Sequence, residues 1–304
     1  MLGLATTALT IALIYVNLLA LGLGALRWTS SYALARVATP AALVLALFFV
    51  EHFVGLGRLG WVWPLTTAAA VWVVVTRRAL VVEHWGTEAL FFLGLAWALL
   101  WRMSFPGIVG SSEKIGDLAM IASYMPGVRL PPQDAWYPPY PFDIYYGFQQ
   151  YGAALLGRIF ALPAGTAYNL AFCVLIALTI TAAGAAAYAI CRSVRGTALV
   201  LAAFAIGGTG ATIPSQFMFK KPEIYSSMRF IGDTARPQLV DTRFGGWLVA
   251  KAQVPDREVV KLPSETFAYL TYLGDYHPPL SGFYLLMLAL LCIALVEAGT
   301  SPPA

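Results

Sequence analysis

Three stretches of the chain carry the residues that could do chemistry. The first is Glu113-Lys114 followed by Asp117. On a helix over 112–124 positions four apart share a face, so Glu113 and Asp117 point the same way. Two acids on one face suit a general base and a metal ligand. They equally suit a plain helix start, where carboxylates are favoured by the macrodipole and Ser111 and Ser112 are cap-forming residues. The second stretch is Gln133-Asp134-Ala135-Trp136-Tyr137, continuing to Asp143, Tyr145 and Tyr146. Aromatic faces beside carboxylates suit sugar rings, whose C–H faces stack on apolar planes while their hydroxyls bond to acids. Aromatic belt residues at a membrane interface give the same pattern. The third is Gly274-Asp275-Tyr276-His277-Pro278-Pro279. Asp275 and His277 meet only in a turn, which Gly274 and the two prolines favour. There the pair could hold a divalent metal ion or relay a proton, unless His277 is only a hydrogen-bonded anchor.

The elements that must position these residues are those of a membrane. The 304 residues are 59% hydrophobic and 11% charged, with a mean hydropathy of +0.72. Soluble domains carry about 25% charged residues. Uncharged runs cover 1–26, 37–50, 59–76, 159–191 and 196–219. About 20 apolar residues suffice to span a bilayer. The chain therefore reads as an all-α polytopic integral membrane protein. The first segment lacks a basic start and a small-residue cleavage site, which marks it as a retained helix. Cys173, Cys191 and Cys292 lie in or at the ends of apolar runs without metal spacing, as small membrane-buried hydrophobes.

Helices are expected over 4–26, 33–54, 60–80, 86–104, 165–191, 196–214 and 277–298. Lys and Arg concentrate in short cytoplasmic loops. Arg27, Arg36, Arg77 and Arg78 then face inward, and the loop 105–143 faces outward. The segment 144–162 is interrupted by Gln149, Gln150 and Arg158. Placed on the outer interface rather than across the membrane, it leaves Arg192 and Arg195 inside and both long loops outside. This gives about seven transmembrane helices plus one interfacial helix. The regions are 1–104 (four helices), 105–164 (acidic, aromatic loop with the interfacial helix), 165–214 (hairpin), 215–276 (second loop) and 277–304 (last helix and tail). Of 15 acidic residues, 11 fall in the two loops. Loops are where a membrane protein keeps its charges, but prolines at 126, 131, 132, 138, 139 and 141 also stiffen the first loop, as a site requires. The basic residues of 215–265 could hold phosphate or belong to a mixed-charge solvated loop. Gly207-Gly208-Thr209-Gly210 lacks a phosphate-loop context and reads as close helix packing.

The run from Ser111 to Phe172 resembles the bacterial and archaeal "YYY" membrane-protein family of uncharacterised function. Glu113, Lys114 and Asp117 match its Glu-Lys-x-x-Asp element, Asp134 and Trp136 its Asp-Pro-Trp, Tyr145 and Tyr146 its tyrosine run, and Tyr168, Asn169 and Leu170 its Tyr-Asn-Leu. Gly274, Asp275 and His277 match its Gly-Asp-x-His. Ala135, Ile144 and Pro279 depart from the pattern. That family is thought similar to the GT-C class of membrane glycosyltransferases. The resemblance implies a GT-C-like fold in the cytoplasmic (inner) membrane and transfer of sugar from a polyprenyl-phosphate donor at the extracytoplasmic face. Asp117 or Glu113 would be the base. Lys114 and Arg129 would steady the donor phosphate, and Asp275 and His277 would complete a polar or metal site. The expected partners are membrane lipid, the polyprenyl-phosphate sugar and other membrane subunits, with no nucleic acid. The competing expectation is a non-catalytic subunit of a larger membrane assembly.

Overall fold

The computed structural model describes residues 3–104, 106–108, 112–134, 137–142, 147–206 and 266–299. Every regular element among them is helical: α1 Leu4–Ala25, α2 Tyr32–Glu51, α3 Val62–Thr76, α4 Arg78–Glu83, α5 Trp85–Ser104, α6 Ser112–Tyr124, α7 Phe148–Ile159, α8 Ala164–Cys191, α9 Val194–Ala205, α10 Phe267–Leu273 and α11 Pro278–Glu297. They fall into two compact units, 1–197 with 274–304, and 198–273. In the second unit Phe204 stacks on Phe267 at 4.3 Å. The basic loop 215–265 and the glycine run 207–210 lie outside the described residues.

Within the first unit α8 is the central helix. Its membrane-length window is 83% buried, against 22–33% for α1, α2 and α11. Its alanines let neighbours approach closely, and Gly94 of α5 does the same from the other side. A Cβ there would lie 2.9 Å from Ala177 Cα. Buried Thr179 and Thr181 return their hydroxyls to carbonyls four residues back, so they add no unmet polar group. The outer helices turn Leu65, Trp72, Leu93, Leu286 and Ile293 outward, a surface made for hydrocarbon.

Among the described residues four helices, α1, α2, α8 and α11, are long and apolar enough to cross a membrane. The other three expected spans take a different form there. The expected helix over 60–80 ends at Thr76, and Arg77 donates to Leu23 O at 2.7 Å before α4 begins. α5 has the length but carries Glu88 and Arg102. α9 is described over only 12 residues.

The N-termini of α8 and α11 lie at the same end as the C-terminus of α5. Arg102 draws them together, donating to Asn169 Oδ1 at 2.7 Å and to Gly274 O at 3.0 Å. That arrangement follows if α7 does not span. At 12 residues α7 is about 18 Å long, short of the roughly 30 Å hydrocarbon core. It does not lie free on a surface either: eight of its residues are buried. Tyr151 packs on Phe48 at 5.1 Å, Gly152 faces Val44, and Arg158 grips Glu51 with two bonds of 2.9 and 2.6 Å.

Candidate functional site

Asp117 lies one turn and a half into α6, on the face turned toward α7, and is 2% exposed. Its Oδ1 accepts from Gln150 Nε2 at 2.7 Å. Its Oδ2 has no hydrogen-bond partner among the described residues and lies 3.7 Å from His277 Nδ1. The structure thus unites the first and third stretches. It does so through Gln150, which in the sequence is only an interruption of an apolar segment.

His277 is delivered by a pinned strap. Gly274 takes φ +62°, where a side chain would be strained and would collide with Arg102. Tyr276 donates its N–H to Tyr168 Oη at 2.9 Å and its hydroxyl to Gln149 O at 3.1 Å. Gln149 Nε2 donates to Tyr276 O at 2.9 Å, while its Oε1 accepts from Ser281 N at 3.1 Å. His277 then stands at the N-cap position of α11 without a side-chain capping bond, and the first two residues of that helix are Pro278 and Pro279, where a missing N–H costs nothing.

Asp275 is buried on the same strap, 4% exposed, and its charge acts on Lys114 and Arg102. Burial pushes the Lys114 ammonium below its ordinary range; Asp275 opposes that shift and Arg102 adds to it. Arg102 spends its donors on neutral oxygens, adding Pro106 O and Gly107 O to Asn169 and Gly274. Nothing in the three stretches announced Arg102, Gln149 or Gln150. The one available signal was a strong polar group inside an apolar run.

The remaining expected residues fare differently. Glu113 is in the first turn of α6, and its side chain lies outside the described residues, as do Trp136, Asp143, Tyr145 and Tyr146. Asp134 holds a turn: its N–H bonds Tyr140 O and its Oδ1 accepts from Tyr137 N, with Tyr137 and Tyr140 stacked at 4.9 Å. Arg129 is exposed on the loop whose Leu130 N–H bonds Glu51 O at the end of α2. Among the described residues no group of three or more His, Cys, Asp and Glu side chains converges as a metal site.

Two further charged pairs are buried. Arg36, expected to face inward near the start of the helix over 33–54, is 0% exposed, and its Nε and the Tyr32 hydroxyl both donate to Glu88 Oε1, at 2.9 and 2.6 Å. Glu51 and Arg158 form the second pair.

A family of proteins described as "Uncharacterized membrane protein (DUF2298)" matches residues 26–302. The chain belongs to that family. The match is to an uncharacterised membrane protein family over most of the chain, and no likeness to GT-C enzymes accompanies it. Neither the curated proteins nor the solved structures include a significant match to this DUF2298 chain.

Proposed function

We propose that the protein is a membrane transferase that moves a sugar from a polyprenyl-phosphate donor, with Asp117 as the base. The observation that supports this is the Asp117 carboxylate: buried, oriented through one oxygen by Gln150, and presenting the other toward His277. A general base needs such a held group with an available lone pair. In the proposed step Asp117 Oδ2 takes the proton of an acceptor hydroxyl. The acceptor oxygen bonds to the anomeric carbon as the bond to the phosphate oxygen breaks, leaving polyprenyl phosphate. The proton passes from Asp117 to His277 and out. Lys114, on whose charge Asp275 acts, is the proposed group that steadies the departing phosphate. Glu113, one turn earlier on α6, is the second acid of the proposed site. The aromatic segment around Trp136, Tyr145 and Tyr146, with Asp134 and Asp143, is the proposed sugar contact, and Arg129 a more distant phosphate contact. Asp275 and His277 offer at most two ligands to a divalent ion, so no step is routed through one. In this reading the seven spans, the inner membrane and the outward-facing loops keep the form given above.

The test is transfer by the purified chain in proteoliposomes, with radiolabelled polyprenyl-phosphate sugars as donors, with and without chelator. Asp117→Asn is expected to lower the rate by about 10²–10⁴-fold while the protein stays folded. Equal rates for wild type and Asp117→Asn would remove the proposed base. No transfer from any donor by a well-folded sample would instead favour a non-catalytic subunit of a larger assembly.

A further inference from the structure

A cavity of about 150 Å³ lies between α1, α2, α7, α8 and α11. Its walls are apolar, with Leu18, Val44, Leu156, Val174 and Leu178 among them. Pro40 and Ala41 on α2 and the half-exposed Leu285 on α11 border it toward the outer surface of these helices. Its polar wall is Gln149, Tyr276 and Ser281, the residues that fix the strap carrying His277. We propose that this cavity holds a short segment of the hydrocarbon tail of the lipid-linked substrate, and that Gln149 is the wall shared by the tail slot and the reacting site.

A space of this size takes an apolar guest about as large as benzene, so it would receive a short segment of one chain. A cavity meant only for bulk lipid needs no polar end, whereas this one ends at a glutamine whose neighbour in sequence, Gln150, bonds the proposed base. Lys114, on whose charge Asp275 acts, suits the phosphate at the head of such a chain. The inference rests on the transferase reading and names where its donor lies.

The experiment uses the full chain in vesicles of phosphatidylcholine with a polyprenyl phosphate carrying a photoreactive diazirine in its tail. Adducts should concentrate on peptides containing Val174 and Leu178. Labelling there should fall about tenfold or more in Ala41→Trp and in Ala171→Phe, because a blocked chain loses several buried methylenes. Labelling of the outward Leu290 should not change. Ala41→Trp, near the rim, guards against a folding failure of Ala171→Phe; both are compared at matched thermal midpoints. Adducts spread evenly over outward helix faces, or equal cavity labelling by a diazirine phosphatidylcholine, would overturn the proposal. The two readings fail separately. Labelling that persists in Asp117→Asn while no donor is turned over sinks only the transfer. Asp117-dependent transfer with an unlabelled cavity sinks only the slot.

Discussion

Asp117 puts its two oxygens to different use, and the buried Glu51 does not. Glu51 Oε1 accepts from Leu56 N–H and Arg158, and Oε2 accepts from Arg158 again, while the Arg158 Nε reaches Gly57 O. That pair is saturated and ties α2 to α7. Removing one partner of a buried pair strands the other charge, at a cost of about 3–5 kcal/mol. Arg158→Met should therefore destabilise strongly, and Glu51→Gln with Arg158→Met should recover much of the loss; detergent thermal unfolding of the wild type and the two variants measures it. Lys114 gives a prediction in pH. Its folded pKa lies below its unfolded one, so over the window just beneath the ordinary lysine range, near 10.4, the unfolded state binds more protons. Its burial cost is in full force below that window, and stability should rise with pH through it. Lys114→Met should flatten that rise in a thermal-midpoint series from neutral to alkaline pH. Asp117, Asp275 and His277 were legible as residues of interest. The buried pairs were not, because Arg36 and Glu88 are 52 positions apart, and Arg158 and Glu51 are 107 apart. A spacing rule reaches only one or two turns.

At the scale of elements, long apolar helices were legible because a bilayer demands about 20 residues of one character. α1, α2, α5, α8 and α11 begin and end within a few residues of the reading. Where the rule weakens, so did the reading. The break at Arg77 depends on a carbonyl of α1, and α7 carries polar groups that protein rather than solvent satisfies. Glycine tests the packing of these elements. Within a helix, Gly→Ala ordinarily gains up to about 1 kcal/mol. Gly282 of α11 has open space around its Cβ position, so Gly282→Ala should hold or raise the thermal midpoint. At Gly94 the same change meets Ala177 backbone and Ile180 at 2.9 Å. There overpacking costs about 1–3 kcal/mol and reverses the sign. Opposite shifts in one midpoint assay are the expected outcome.

For the first unit, the joining of α5, α8 and α11 ends by Arg102 is the main topological fact. α8 has 28 residues and is about 42 Å long, enough to carry its two ends to opposite faces of a bilayer. Gly107→Cys, beside its N-terminal end, and Ser193→Cys, just past Arg192, are expected to react with an impermeant maleimide from opposite sides in a background lacking Cys173, Cys191 and Cys292. Labelling of both from one side would contradict that layout. The strap from Gly274 to His277 has one more consequence, on the timescale of opening. The Tyr276 amide is held by Tyr168 of α8, and the Ser281 amide by Gln149 of α7. Neither proton can meet water until the strap lets go of both helices. In deuterium these two amides should exchange slowly and at a common rate, and a change at Gln149 should release both at once.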